Sequence, residues 1–183
     1  YDLLLIFDEV QVGMGRTGTL FAHEQEHVAP DIMTLAKALG NGLPIGAMLA
    51  TDRVAQAFVP GSHATTFGGT PLVTSVARRV VQLISAPSFL ERVRQVGGYF
   101  LARLEDLRSK HGLIKEVRGR GLMIGMELKI PGARIVEKCL EKGFVINCTH
   151  DTVLRFVPPL IVQEQQIDRL IQVLDEVLKE ENK

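Results

Sequence analysis

Cysteines and net charge are both scarce in this sequence. It contains only two cysteines, Cys139 and Cys148, and its 21 basic residues balance 21 acidic residues, so the formal net charge is zero. Two cysteines without metal-type spacing give no disulfide framework and no metal site, and they indicate a reducing, cytoplasmic compartment. A balanced charge provides no electrostatic footprint for nucleic acid or for an anionic membrane surface. We therefore expect a cytoplasmic protein that binds neither.

Long apolar runs are also missing. No run approaches the roughly 20 residues that a membrane-spanning helix needs. The 183 residues are 46% hydrophobic, and helix and strand patterns alternate along them. This combination predicts a globular α/β protein with one large domain or two small ones.

The first apolar segment stands at the very start of the chain, at residues 3–7 (LLLIF). Near-continuous apolar runs are typical of parallel strands that are buried on both faces. Such a strand needs pairing partners on both sides. We therefore expect this sequence to be the C-terminal part of a longer protein.

The order of the segments predicts a sheet domain followed by a smaller domain. Buried strands are predicted at 2–7 and 45–50, with glycine-rich loops between them, and the C-terminal half alternates amphipathic helices with short strands such as those at 114–127. We predict that residues 1–87 form the C-terminal part of a large domain with a mostly parallel sheet. Residues 88–183 are predicted to form a small α+β domain.

Two residues stand where chemistry is possible. Asp8 follows the first predicted strand, and ligands of open α/β sheets gather at the carboxyl ends of strands. It could equally cap a loop or pair with an arginine. Lys37 ends the next apolar segment and could be a solvated side chain or a nucleophile, since a neutral lysine amine forms imines. An acid and a lysine that meet across a sheet would suit pyridoxal phosphate, whose pyridine nitrogen needs an acid beside it.

Four segments carry the strongest pattern. They are residues 7–18 (FDEVQVGMGRTG), 30–42 (PDIMTLAKALGNG), 61–69 (GSHATTFGG) and 153–160 (VLRFVPPL). In this order they resemble the cofactor, Schiff-base, phosphate-loop and substrate-carboxylate segments of the class III aminotransferases. The resemblance implies the fold-type I architecture of pyridoxal-phosphate-dependent transferases, with a mostly parallel large domain and a small α+β domain.

The resemblance also implies roles around the cofactor ring. Lys37 would form the Schiff base with pyridoxal 5'-phosphate and then move a proton between the substrate α-carbon and the cofactor. Asp8 would pair with the pyridinium nitrogen, Val10 would pack against one ring face, and Gln11 would bond near the phenolic oxygen. Glu9 falls among the same cofactor-binding positions.

Further implied roles concern the phosphate and the substrate. Thr66 would bind the cofactor phosphate of the neighbouring subunit, so a homodimer is expected, and Thr65 beside it is a candidate substrate contact. Arg155 would hold a substrate carboxylate with its planar guanidinium. Thr70 departs from the asparagine that is common in the family, but threonine can cap the following helix as asparagine would, so we expect little consequence. Because the family's N-terminal half supplies further groups, the chain alone is expected to be inactive.

Within the family, residues 35–48 and 146–149 look most like the acetylornithine aminotransferases. They imply transfer of an amino group from N-acetylornithine to 2-oxoglutarate in arginine biosynthesis. Enzymes that act on ornithine, succinylornithine or 4-aminobutyrate share the same core motifs. An aminomutase of this fold would need no external oxo acid, and a non-catalytic module would keep only the fold. The intact Asp8, Lys37 and Arg155 speak against the last alternative.

Overall fold

The computed structural model describes residues 1–181. The chain divides into two compact units, one from Tyr1 to Leu90 and one that begins at Glu91. The division falls inside the helix Pro87–Lys110.

The first unit is built on a three-stranded sheet in the order β1-β2-β3. β1 (Ile6–Asp8) and β2 (Ile32–Leu35) are parallel, whereas β3 (Ala47–Ala50) runs antiparallel to β2. The remaining elements of this unit are the 3-10 helices Ala22–Glu26 and Lys37–Leu39 and the helices α1 (Asp52–Ala55) and α2 (Pro71–Ile84).

The two outer strands of this sheet are exposed, and the expectation that they are buried on both faces is wrong for this chain. Ile6 of β1 is 58% exposed and Met48 of β3 is 46% exposed, while Met33 and Leu35 of the central β2 are buried. Among the described residues, β1 and β3 each have one strand neighbour. The predicted strands at 2–7 and 45–50 overlap β1 and β3, but the observed strands begin only at Ile6 and Ala47.

The start of α2 follows from its first two residues. Thr70 has an extended backbone (φ −62°, ψ 150°), and Pro71 occupies the first helical turn, where its missing N–H costs nothing. The expected side-chain cap is wrong, because the Thr70 side chain makes no cap hydrogen bond. Instead the Thr70 carbonyl accepts a hydrogen bond from Thr74 Oγ1 at 2.9 Å. Proline and the extended residue before it thus define the helix start.

The second unit contains a four-stranded antiparallel sheet in the order β4-β5-β7-β6. Its strands are β4 (Ile114–Arg120), β5 (Met123–Leu128), β6 (Asn147–Thr149) and β7 (Val153–Phe156). Alternate residues of β5 are buried, as the period of a half-covered strand requires.

Three helices complete the core of the second unit: α3 (Pro87–Lys110), α4 (Ala133–Glu141) and α5 (Glu164–Glu181). Phe100 of α3 packs on Phe156 of β7 with ring centroids 5.3 Å apart. Tyr99 Oη and Arg103 Nε of α3 donate to Asp168 Oδ1 of α5 at 2.6 and 3.0 Å, and His111 Nε2, just after α3, lies 2.7 Å from Asp175 Oδ1 of α5. This core positions β7, the strand that carries Arg155.

Candidate active site

Asp8 and Lys37 come to the same edge of the first sheet. β1 and β2 are parallel, so their carboxyl ends lie side by side, and Asp8, the last residue of β1, is the register partner of Thr34. Lys37 begins the 3-10 helix that follows β2. The topology therefore brings together an acid and a lysine that lie far apart in sequence, at the edge where ligands of such sheets bind.

The carboxylate of Asp8 is oriented by its own surroundings. Its Oδ1 accepts a hydrogen bond from the backbone N–H of Val10 at 3.0 Å and one from Thr34 Oγ1 at 3.4 Å. Asp8 thus does cap its own loop, as one alternative held. The side chain is nevertheless exposed at the strand end, so this contact leaves it accessible to a ligand.

Lys37 has an unusual backbone. Its φ is +44°, in the left-handed region that non-glycine residues seldom occupy. Such conformations cost about 1–3 kcal/mol and cluster at functional sites. The side chain is exposed, so it is accessible to a ligand at this sheet edge.

Glu9 is buried, with 3% of its surface exposed, and its carboxylate contacts protein. Oε2 accepts the backbone N–H of Ala22 at 2.8 Å. Oε1 accepts the backbone N–H of His23 at 2.9 Å and lies 3.1 Å from His23 Nδ1. The resemblance placed Glu9 among the cofactor-binding positions, but these contacts tie it to the 3-10 helix Ala22–Glu26.

Val10 and Gln11 are half-buried at the start of the glycine-rich loop that follows Glu9. Further along, Met14 is 1% exposed and has a φ of +57°. Gly15 and Gly18 also have positive φ, at +84° and +92°, which glycine adopts without strain. The loop is therefore a packed structure, and burial lowers the pKa of its Arg16.

Thr65 and Thr66 are exposed in the loop that leads into α2. Thr65 Oγ1 accepts the backbone N–H of Gly68 at 3.1 Å, and a Cβ at Gly68 would lie 2.4 Å from Thr65 Cγ2. α2 itself contacts the 3-10 helix that begins with Lys37. The loop's hydroxyls are thus attached to the same unit as Asp8 and Lys37.

Arg155 belongs to the second unit, where it lies in β7 between Gly125 of β5 and Asn147 of β6. It is half-buried, and its Nε atom is fully buried. It lines a cleft of about 310 Å³ whose walls are largely apolar, including Phe100 and Pro158. A guanidinium in an apolar cleft is suited to bind a carboxylate.

Three residues that support the segments described above could not be recognised from the sequence. Thr34 supports Asp8, His23 contacts Glu9, and Arg92 of α3 donates to the carbonyl oxygens of residues 160–162, at 2.9, 3.3 and 2.7 Å in that order. The histidines form no cluster in the sequence, and the partners of Arg92 lie about seventy positions away. Only a β1–β2 pairing in register could have indicated Thr34.

Metal-ligand clusters and membrane-spanning helices are both missing from residues 1–181. No group of histidine, cysteine, aspartate or glutamate there could hold a metal ion, and no helix is both long and apolar enough to cross a membrane. Both cysteines are free thiols, and burial raises the pKa of Cys139 to about 11, so this thiol is protonated at neutral pH.

The donor set fits pyridoxal phosphate. An exposed lysine amine and a carboxylate stand at one sheet edge, and a cofactor of this kind needs both, one to bind its aldehyde and one beside its ring nitrogen. The fold and this pair of residues are those of an α/β protein with a site that suits pyridoxal phosphate.

Comparison with known proteins gives the family. The model of the class III aminotransferases matches residues 1–178, and the chain belongs to this family. It is 57% identical over 179 residues to the acetylornithine aminotransferase of Methanocaldococcus jannaschii, covering 98% of this chain and 45% of that protein. The chain thus spans less than half the length of this relative.

Solved structures agree with the fold. The N-acetylornithine aminotransferase of Stenotrophomonas maltophilia superposes with a TM-score of 0.88 at 37% identity, over 98% of this chain and 48% of that one. The ornithine aminotransferase of Toxoplasma gondii, crystallised with oxidised glutathione, has pyridoxal phosphate at partial occupancy in its active site. It superposes with a TM-score of 0.91 at 33% identity, over 100% of this chain and 45% of that one.

Proposed function

We propose that the complete protein is a pyridoxal-phosphate-dependent aminotransferase that moves an amino group from N-acetylornithine to 2-oxoglutarate. The products would be N-acetylglutamate semialdehyde and glutamate, in the biosynthesis of arginine. The observation that carries the proposal is the shared sheet edge of Asp8 and Lys37. The 57% identity to an acetylornithine aminotransferase supports the choice of amino donor.

The chain's own residues would divide the work. Lys37 would hold the cofactor covalently and would move a proton to and from the substrate α-carbon. Asp8 would stand beside the ring nitrogen and keep it protonated, and the cofactor, when bound, would supply an electron sink. Val10 and Gln11 contact the ring from the loop that follows. Asp8 is already oriented for its task by Val10 N–H and Thr34 Oγ1.

Substrate and phosphate would be bound by residues outside this pair. Arg155 binds a substrate carboxylate from its apolar cleft, where fewer water molecules compete for the guanidinium. Thr65 contacts the substrate. The exposed Thr66 binds the cofactor phosphate in the partner subunit of a homodimer.

The domain assignment follows from these roles. We propose that residues 1–87 belong to the large cofactor-binding domain and residues 88–183 to the small domain. The sparse, unpaired cysteines support a cytoplasmic location.

The test is a half-reaction on the complete protein reconstituted with pyridoxal phosphate. N-acetylornithine, ornithine and 4-aminobutyrate are added separately while the visible absorption of the cofactor is followed. Rapid bleaching by N-acetylornithine, absent from a Lys37→Ala variant, is the expected result. Bleaching by ornithine alone would keep the mechanism and change the substrate. Turnover without 2-oxoglutarate would favour an aminomutase instead.

A further inference from the structure

Glu9 is a buried acid that has no part in the chemistry proposed above. Its side chain is 2% exposed, although it stands directly after Asp8, which is exposed at the sheet edge. A buried carboxylate is costly unless hydrogen-bond donors surround it. The groups that donate hydrogen bonds to the Glu9 carboxylate therefore indicate its structural role.

The donors of Glu9 close a loop. They are the backbone N–H groups of Ala22 and His23 and the Nδ1 of His23, thirteen and fourteen positions further along the chain. The carbonyl of Glu9 in turn accepts the N–H of Gly13 at 3.0 Å. Glu9 thus accepts hydrogen bonds from both ends of the loop 10–21: its carbonyl binds Gly13 near the start, and its carboxylate binds Ala22 and His23 just after the end.

The loop fits closely around this carboxylate. A Cβ at Gly13 would lie 2.7 Å from the Glu9 carbonyl oxygen and 3.2 Å from Oε2, so only glycine allows this approach. The ring of His23 contacts the rings of both Phe7 and Phe21, with centroids 5.7 and 5.8 Å away. Since a carboxylate only accepts, Nδ1 of His23 carries the hydrogen of this contact.

We infer that Glu9 is a positioning residue for the cofactor site. Its two chain neighbours are Asp8 and Val10, and the Val10 N–H holds Asp8 Oδ1. Anchoring the loop at Ala22 and His23 therefore sets the direction of the Asp8 carboxylate. It also sets the place of Gln11, which lies on the same loop. The inference rests on the proposed function, because it supposes that the ring lies against these residues.

The test uses Glu9→Gln in the complete protein, with Glu26→Gln, an exposed glutamate of the 3-10 helix Ala22–Glu26, as the matched control. Glutamine keeps the size of the side chain but turns one acceptor into an N–H₂ group that faces a backbone N–H. We expect the dissociation constant for pyridoxal phosphate to rise about tenfold or more, as substitutions of supporting residues do in metal sites. The pH midpoint of the cofactor's visible absorption should also shift, because Asp8 moves against the ring nitrogen.

A second pair of variants tests the same contact if the Glu9→Gln protein does not fold. His23→Leu removes the Nδ1 donor, whereas His23→Asn offers an amide N–H near the same place, and both keep the backbone N–H. We expect His23→Leu to weaken cofactor binding and to shift the absorption midpoint, and His23→Asn to restore both.

Two results would overturn the positioning role. The first is a folded Glu9→Gln protein with wild-type cofactor affinity and absorption midpoint, even if its Ala22 and His23 amides exchange hydrogen faster. The second is an equal loss in His23→Leu and His23→Asn. A wild-type protein that takes up no pyridoxal phosphate would instead refute the proposed function itself, so the two failures are distinguishable.

Discussion

Thr34 Oγ1 donates a hydrogen bond to Asp8 Oδ1 at 3.4 Å, and the two residues are register partners in parallel strands. Asp8 Oδ1 also accepts a hydrogen bond from the N–H of Val10 at 3.0 Å. The Asp8 carboxylate is therefore held through Oδ1 by the backbone just after β1 and by Thr34 of the neighbouring strand β2. Because β1 ends opposite Thr34, the residue that holds Asp8 stands three positions before Lys37 in the chain.

Asp8→Asn should lower the rate of amino transfer while leaving the free energy of unfolding nearly unchanged. An amide cannot keep a pyridine nitrogen protonated, so the rate of amino transfer from N-acetylornithine should fall by about 100-fold or more. Asp8 is exposed, so the free energy of unfolding should change by less than about 0.5 kcal/mol. The measurement is a single-turnover absorbance trace together with a thermal melt. Asp52→Asn, another exposed aspartate in the first unit, should leave both unchanged. A variant that keeps more than about a tenth of the wild-type rate would contradict the assigned role of Asp8.

Thr66 can be tested for action across a dimer interface. If Thr66 serves the partner's site, a mixed dimer of a Lys37→Ala subunit and a Thr66→Ala subunit contains one site with both an intact lysine and an intact threonine. An equimolar mixture with random subunit exchange should then regain about a quarter of the wild-type activity at limiting pyridoxal phosphate, because about half of its dimers are mixed and each of these has one intact site of two. If Thr66 serves its own subunit, every site in the mixed dimer is damaged and mixing restores nothing. Unmixed Thr66→Ala protein is the control.

Arg92 and Arg94 form a matched pair on α3. Arg92 donates to three backbone carbonyls of the segment that follows β7, whereas Arg94 pairs with Glu91 on the exposed helix surface. Arg92→Ala should lower the free energy of unfolding by about 1–3 kcal/mol, because charged hydrogen bonds to part-buried carbonyls are lost. Arg94→Ala should cost less than about 0.5 kcal/mol, as exposed pairs do. Urea unfolding of the two variants measures the difference, and equal losses would contradict it.

Local patterns allowed much of the fold to be predicted from the sequence. Pro71 suits the first turn of α2, the apolar spacing from Ile167 to Leu178 predicts α5, and the end of an apolar strand marks Asp8. These features depend on neighbouring residues only. The position of Lys37 at the same edge also follows from the sequence, once the two strands are taken as parallel.

Other features depend on contacts that local sequence does not encode. The carbonyl partners of Arg92 lie 68 to 70 positions away, and the hydrogen bonds of Glu9 require a particular path of the glycine-rich loop. The exposure of β1 and β3 was also missed, because the apolar pattern reports the need for cover and not its source. Thr70 has the residue type of a helix cap, yet its hydroxyl makes no cap bond.

The contact of Asp175 with Lys179 and His111 makes a prediction about acid. The hydrogen bond from Lys179, followed by that from His111, lowers the pKa of Asp175 below its ordinary value of 3.8. The ionised carboxylate therefore stabilises the fold above that value, and the contribution is lost as pH falls through the still lower pKa of the folded chain. Asp175→Asn should lower the thermal midpoint at about pH 6, and the difference from wild type should shrink towards pH 3. Glu141→Gln, at the exposed end of α4, is the control, and a difference that grew with acid would contradict the assignment.

Gly97 and Gly98 are neighbours on α3 for which opposite effects are expected. A Cβ at Gly97 would lie 2.3 Å from the carbonyl oxygen of Gly121 and 2.5 Å from its carbonyl carbon, and backbone atoms of a tight turn cannot move aside cheaply. Gly97→Ala should therefore lower the free energy of unfolding by about 1–3 kcal/mol or more, through overpacking between α3 and the β4–β5 turn. A Cβ at Gly98 would meet nothing within 4 Å, so Gly98→Ala should raise stability by about 0.5–1 kcal/mol, because alanine loses less backbone entropy in a helix. Chemical unfolding of both variants measures the two signs, and a destabilised Gly98→Ala protein would show that this face of α3 is covered in the complete protein.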